Sequence, residues 1–173
     1  LPTISGTLSA CVNATSQLTG SATAAVTNPW TSSNTVVATV SSTGLVTAIA
    51  PGTTTITYTN SNGCQVTAIF TVLALPTISG TLSACVNATS QLSGSASPAT
   101  TNPWTSSNGL VATVSSTGLV TGLTAGTSTI TYTNSNGCQV TATFTVNALP
   151  TISGTLSACV NATSQLTGSA TAA

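Results

Sequence analysis

The sequence predicts an all-β fold of tandem antiparallel β-sandwiches, with about seven strands in each 74-residue repeat. The repeat is visible at once, because the segment Leu1–Gly6 recurs from Leu75 and again from Leu149. Within each repeat, β-branched residues dominate and no stretch has the i, i+3, i+4, i+7 apolar spacing of a helix. Short runs of alternating apolar and polar residues are separated by Gly, Pro and Asn, as is typical of strands joined by turns.

The repeats define the domain organisation. Residues 1–74 and 75–148 differ at 13 positions, so 61 of 74 residues are identical, and residues 149–173 match the first 25 residues of the unit. We therefore expect one domain at 1–74, a second at 75–148, and the truncated start of a third repeat at 149–173. Internal repeats of this kind indicate an array in which each unit is one structural module.

The strands of the first repeat can be assigned in order from their turn signals. The hairpin loop Asn60–Gly63 ends in Asn-Gly, a strong turn signal between two strands. Seven short antiparallel strands at this spacing indicate sandwiches of the immunoglobulin type. The expected strands are Thr3–Ala10, Ser16–Ser21, Asn28–Ser32, Val36–Ser41, Leu45–Ile49, Thr53–Thr59 and Cys64–Val72.

The last strand has the clearest two-residue period. One face carries Cys64, Val66, Ala68, Phe70 and Val72, and the other carries Gln65, Thr67, Ile69 and Thr71. Ile69 is replaced by Thr143 in the second repeat, which makes that outer face wholly polar. Because Thr-x-Thr rows occur once per 74 residues, we expect outward threonines on a strand and not the dense flat lattice of an ice-binding surface.

The absence of charge excludes most chemistry. The chain has no Lys, Arg, Asp, Glu or His, although it is 40% hydrophobic. Of the side chains used in general acid–base catalysis, only two Tyr and five Cys are present, and a Ser or Cys nucleophile would find no base. We therefore predict no enzyme activity and no catalytic residues. Calcium sites need carboxylates and zinc sites need clustered Cys or His, so neither a metal nor a cofactor is expected. Nucleic-acid binding needs Lys and Arg on phosphates, so that partner is also excluded.

Four ordered elements point to a known family. They are the segments Trp30–Asn34, Val37–Val40, Gly44–Thr47 and Pro51–Thr57, and they recur between Trp104 and Thr131. This order resembles the bacterial Ig-like group 2 family, with its W-S-S, A-x-V, G-x-V-T and G-T-x-x-I-T elements. The opening cysteine and the later Asn-Gly-Cys also resemble repeats in giant surface adhesins and fibres of Bacteroidota. The resemblance implies extracellular arrays without catalytic residues.

The aromatic residues have two interpretations. A Trp at this strand position can stack on a sugar ring, but it more often fills the core of an Ig-type sandwich, and the same holds for the tyrosines. We therefore predict that the large aromatic side chains of both repeats are core residues and not ligand contacts. These are Trp30, Trp104, Tyr58, Tyr132, Phe70 and Phe144.

The cysteines are the candidate disulfide residues: Cys11, Cys64, Cys85, Cys138 and Cys159. Cysteines in a secreted array favour disulfides over free thiols. Pairing within a repeat would join Cys11 to Cys64. Ig topology instead places these two residues at opposite ends of a domain, which favours a Cys11–Cys138 bridge across the junction. The sequence leaves both pairings open.

Together these observations predict a structural protein, the repetitive shaft of an extracellular filament or giant adhesin on the bacterial surface. Copies of the chain itself are the expected partners, because an uncharged surface lacks the repulsion that keeps proteins apart. The alternative is an adhesin module that binds glycan or a host receptor. The apolar runs are too short for a membrane span.

Overall fold

The computed structural model describes residues 1–169. The chain folds into two compact units, of which the first is Leu1–Leu75 and the second begins at Pro76. Every regular element in the described residues is a β-strand. The prediction of an all-β fold is therefore confirmed, and the two units are described separately below.

Unit 1 is a sandwich of two β-layers. One layer pairs β1 with β4 and orders the others β3-β7-β6, and the second layer has the order β2-β9-β8-β5. All pairs are antiparallel except β2 with β9, which is parallel. The strands are β1 Ile4–Ser5, β2 Ser9–Cys11, β3 Thr15–Gln17, β4 Thr19–Gly20, β5 Trp30–Ser32, β6 Ala38–Val40, β7 Leu45–Ala48, β8 Gly52–Thr59 and β9 Gln65–Leu73.

Unit 2 repeats this topology with more continuous pairing. Its layers are four-stranded, with the orders β10-β12-β15-β14 and β11-β17-β16-β13. A single strand, β12, stands where unit 1 has β3 and β4. The strands are β10 Ile78–Gly80, β11 Ser83–Cys85, β12 Thr89–Gly94, β13 Trp104–Ser106, β14 Ala112–Val114, β15 Leu119–Gly122, β16 Gly126–Thr133 and β17 Gln139–Asn147.

The expected first strand, Thr3–Ala10, is divided between the two layers. Its first part, β1, pairs with β4, and its second part, β2, crosses to pair with β9. Gly6 lies at the crossing with φ of +120°, where a Cβ would stand 2.6 Å from the carbonyl oxygen of Gln17. A residue with a side chain cannot adopt this bend easily, so glycine allows one continuous segment to serve both layers.

Residues 149–169 contain one strand pair, β18 Ile152–Gly154 with β19 Leu166–Gly168. Its register, Ile152 opposite Gly168, matches that of Ile78 opposite Gly94. Leu166 is 44% exposed, whereas Leu92 at the same position of unit 2 is 1% exposed. The register is thus the same as in a complete unit, but the apolar side chain is not covered.

The core of each unit lies between its layers. In unit 1 it contains Leu18, Trp30, Val46, Ile56 and Phe70, with further apolar residues around them. The inward positions of β8 and β9 supply Ile56, Tyr58 and Phe70 because successive side chains on a strand alternate between faces. The core of unit 2 consists of the equivalent residues, which are Leu92, Trp104, Ala112, Val120, Ile130, Tyr132, Phe144 and Val146.

The outer edges of both layers are short strands. β5 and β6 close the layers of unit 1, β13 and β14 close those of unit 2, and each has three residues. Soluble β-proteins protect exposed edges with charges or by keeping the edge strand short. This chain has no charges, and its edge strands are short.

Candidate functional site

The cysteines of unit 1 lie at opposite ends of the sandwich. Cys11 ends β2 and pairs in register with Leu73, the last residue of β9. Cys64 lies just before Gln65, at the other end of the same nine-residue strand. At ~3.4 Å per residue this separation is about 30 Å, far beyond the ~7 Å between Cα atoms that a disulfide allows. Cys64 carries an exposed free thiol, so pairing within the unit does not occur.

The disulfide state differs between equivalent cysteines. Cys11 and Cys138 are disulfide-bonded, whereas Cys64, Cys85 and Cys159 are exposed free thiols. Cys138 is 1% exposed, although Cys64 at the same position of unit 1 is exposed.

A buried asparagine holds the hairpin that carries each second cysteine. In unit 2, the Oδ1 atom of Asn134 accepts hydrogen bonds from the backbone N–H groups of Asn136 at 3.1 Å and Cys138 at 2.9 Å. Asn134 is 3% exposed, and Asn60 makes the same two bonds in unit 1. The sequence indicated a turn here, but not that its first asparagine fixes the cysteine backbone.

The predicted aromatic residues lie in the two cores. Trp30 packs on Tyr58 with ring centroids 4.6 Å apart, and Trp104 packs on Tyr132 at the same distance. The Tyr58 hydroxyl donates a 2.9 Å hydrogen bond to the carbonyl oxygen of Ala22. Both tryptophans are 7% exposed, which leaves too little ring surface for stacking on a sugar. Phe70 and Phe144 are completely buried.

An open depression lies beside this aromatic pair in each unit. Its volume is about 240 Å³ in unit 1 and about 330 Å³ in unit 2. Gln17 on its rim donates its side-chain N–H groups to the carbonyl oxygens of Leu18 and Thr43. The lining combines the aromatic pair with small and polar side chains, and it offers no charge to a ligand.

A buried hydroxyl explains the Trp-Thr-Ser-Ser-Asn element. The Thr54 Oγ1 atom lies 2.9 Å from Ser32 Oγ and accepts a 3.0 Å hydrogen bond from the backbone N–H of Asn34. Ser32 also donates to the carbonyl oxygen of Ala38 at 2.7 Å, which connects the two layers at β6. Ser128 replaces Thr54 in unit 2 and keeps both contacts, to Ser106 Oγ at 2.8 Å and to the backbone N–H of Asn108 at 3.0 Å. Sequence reasoning missed this group, because its only signal is a hydroxyl retained in both repeats.

Removing this hydroxyl is expected to destabilise unit 2. Ser128→Ala removes a hydroxyl that is 2% exposed and takes a hydrogen-bond partner from Ser106 and from the backbone N–H of Asn108, at a cost of about 1 kcal/mol. Ser128→Thr is the matched control, because threonine occupies the position in unit 1. Urea unfolding followed by tryptophan fluorescence measures the change. Equal stability of the alanine and threonine variants would contradict the role of the hydroxyl.

In unit 2, threonine covers the outer face of the layer β11-β17-β16-β13, which contains the longest strands and is called the longer layer below. The pairing of β16 with β17 places Thr127 opposite Thr145, Thr129 opposite Thr143, and Thr131 opposite Thr141. Thr105 of β13 extends the third row. The expected outward threonines are present on these strands, and the hairpin register brings their rows side by side. We call this surface the threonine face: Thr105, Thr127, Thr129, Thr131, Thr133, Thr141, Thr143 and Thr145.

The equivalent face of unit 1 is interrupted. Thr53, Thr55, Thr57 and Thr59 line β8, but Ile69 stands in the middle of the facing strand and is 67% exposed. In unit 2, the outer face of the layer β10-β12-β15-β14 is mixed, because Leu119 pairs with Gln91 there. Only the longer layer of unit 2 has an unbroken threonine face within the described residues.

The structure contains no further chemical centre in the part of the chain that it describes. No group of three or more Cys, His, Asp or Glu side chains is placed to hold a metal ion among these residues. Within residues 1–169 there is also no helix with the length and apolar character needed to cross a bilayer.

Comparison with known proteins identifies the family. The model of the bacterial Ig-like domain (group 2) matches residues 3–70 and 77–146. These matches cover most of the chain, which therefore belongs to this family. The predicted family resemblance is confirmed. A search of curated proteins found no match.

Two solved structures share the fold with TM-scores just above 0.5. The C-terminal 282-residue fragment of intimin, in complex with the intimin-binding domain of its translocated receptor, is 21% identical with a TM-score of 0.51. This match covers 90% of the chain and 66% of the fragment. Invasin, a bacterial integrin-binding protein, is 17% identical with a TM-score of 0.52 over 88% of the chain and 40% of invasin. At these identities the likeness shows the fold alone.

Proposed function

We propose that this chain is a structural protein, a segment of the repetitive shaft of a bacterial extracellular filament or giant adhesin. The observation that carries the proposal is the near-identity of two successive Ig-like units. Their differences are mostly conservative and include both buried and loop positions, such as Thr54/Ser128 and Thr35/Gly109. A shaft tolerates such scattered changes, whereas a binding site concentrates variation on one set of loops.

The missing charges fit the same role. A shaft without acidic or basic side chains has no paired carboxylates to protonate, so its packing is insensitive to acid. It also offers no Lys or Arg to trypsin-like proteases. A location outside the cell is supported by family membership and by the disulfide state of Cys11 and Cys138, since disulfides persist in oxidising compartments.

The alternative function is an adhesin module that binds a receptor or a surface glycan. Its support is the fold shared with intimin and invasin, which bind a translocated receptor and integrin respectively. Competition distinguishes the two functions. We expect an excess of the purified chain to leave bacterial attachment unchanged if it is a shaft segment. Saturable inhibition of attachment would favour the adhesin module instead.

We further propose that Cys11 and Cys138 form one bridge that staples successive units. The support comes from the position of each residue in its own unit, because Cys11 lies beside the exit strand β9 and Cys138 lies in a hairpin just before β17. Both are disulfide-bonded, and the thiols that pairing within a unit would need are free. Each unit of about 74 residues has a small core and gains stability from such a crosslink.

A non-reducing peptide map tests this bridge. Cleavage after Trp, Tyr and Phe separates all five cysteines, in fragments 1–30, 59–70, 71–104, 133–144 and 145–173. We expect fragment 1–30 linked to fragment 133–144, with the other thiols open to alkylation. A link from 1–30 to 59–70 would refute the bridge. Fragments 59–70 and 133–144 differ in mass because Ile69 is replaced by Thr143.

Lateral self-association is the last part of the proposal. Exposed apolar side chains are available on an uncharged surface, with Val36 at 72%, Ile69 at 67% and Leu110 at 82% exposure. The three-residue edge strands leave little backbone for strand addition, so we favour contacts through side chains. Sedimentation velocity at micromolar concentration is expected to give association, reduced by Leu110→Lys through like-charge repulsion. A monomer at all concentrations would contradict it.

A further inference from the structure

We propose that the threonine face of unit 2 is a binding site for the surface of an ice crystal. The first observation is its regularity. Along each strand, alternate residues repeat at about 6.8 Å, and the neighbouring strands lie about 4.8 Å apart. Rows from β16 and β17 meet in register, and β13 adds Thr105 beside Thr131, so like side chains occupy a small two-dimensional grid. Hexagonal ice presents oxygen atoms at repeats of similar size on its prism faces.

The second observation is that the hydroxyls of this face are available. Thr133 accepts a 3.1 Å hydrogen bond from the side chain of Gln139. The other threonine hydroxyls of the face make no side-chain hydrogen bond within the described residues. Threonine is β-branched and its χ1 angle is restricted, so each hydroxyl and methyl pair is held in few orientations. The grid is therefore formed before any ligand binds.

The third observation is the chemistry that the face lacks. It has no charge, no aromatic ring and no groove, and those are the usual means of binding phosphate, sugar or peptide. Its eight threonines cover about 260 Å² at these strand spacings, about a third of the ~800 Å² that each partner buries in a stable protein complex. A flat ligand with a regular array of hydrogen-bonding groups matches these properties. Ordered water at an ice surface is such a ligand.

Unit 1 supplies a natural comparison. Ile69 replaces the central threonine of its grid and removes one hydroxyl where the rows meet. We therefore assign ice binding to unit 2. Sheet twist of about 20–25° between strands confines the match to three strands, so slowed recrystallisation is the expected activity and not a large depression of the freezing point.

The experiment measures enrichment of the disulfide-intact 173-residue chain in a slowly growing ice hemisphere, together with ice recrystallisation. The key variant is Thr143→Ile, which introduces the residue that unit 1 already carries at this position. The control is Thr113→Ile, which changes an exposed threonine on the other layer. Ile69→Thr is the gain-of-function variant, because it completes the grid of unit 1.

We expect the chain to be enriched in ice, with enrichment lost in Thr143→Ile, retained in Thr113→Ile and increased in Ile69→Thr. Exclusion of the unmodified chain from ice, as for albumin, would overturn the proposal. Equal loss in both isoleucine variants would also overturn it, because the effect would not depend on this face. If the parent chain is not enriched in ice and Thr143→Ile changes its oligomeric state, the proposal is also overturned. The face would then be a contact with a second copy of the chain.

Discussion

Phe144→Ala is expected to lower the free energy of unfolding of unit 2 by about 3–5 kcal/mol, the usual loss for a buried phenylalanine. Phe144 is completely buried on β17, between the two layers. Removing the ring leaves a cavity that β-layers cannot close without breaking their ladders. A domain of this size has little stability to spare, so a large fraction of unit 2 should unfold under mild conditions.

Urea unfolding followed by tryptophan fluorescence measures this loss. An early transition from Trp104 in unit 2 should separate from that of Trp30 in unit 1. Leu110→Ala is the control, because Leu110 is also apolar but is 82% exposed. Equal effects of the two substitutions would show that Phe144 does not act as a core residue.

Gly94→Ala is expected to have the second largest effect, about 2–4 kcal/mol from overpacking and a lost buried hydrogen bond. A Cβ on Gly94 would stand 2.3 Å from the ring of Tyr132. The ring has to move, and it then loses both its contact with Trp104 and the hydrogen bond from its hydroxyl to Ala96. Gly20 has the same relation to Tyr58 in unit 1.

The control for this prediction is Gly109→Ala. No atom lies within 4 Å of a Cβ built there, and unit 1 carries Thr35 at the position. We expect the Gly109 variant to unfold at the same urea concentration as the parent or a higher one. A Gly94→Ala protein as stable as Gly109→Ala would mean that the tyrosine ring is not tightly packed.

The sequence predicted the strands well where the pattern is local. The alternation from Val66 to Val72 identifies β9 and its inward side chains because a strand has a strict two-residue period. The bend at Gly6 was missed, because the alternation continues through Thr3–Ala10 and gives no sign that the chain changes layers there. The contact of Gly94 with Tyr132 was also missed, since it joins residues far apart in the chain.

The threonine face was a different kind of omission. Its signal was present, because the hairpin loop fixes the register of its two strands and thereby sets Thr131 opposite Thr141. Each row considered alone appears sparse, and the grid emerges only when the strands are paired. The disulfide pairing could not be predicted from the spacing of the cysteines in the sequence. A Cys11–Cys64 pair is excluded only by the positions of the two residues at opposite ends of the sandwich.

Imaging of the native assembly tests the shaft proposal most directly. Antibodies raised against residues 1–148, coupled to gold, would be applied to intact cells and viewed by electron microscopy. We predict gold particles repeated along the length of extracellular filaments, because a shaft presents the same unit many times. Label confined to filament tips, or spread over the cell surface without filaments, would contradict it.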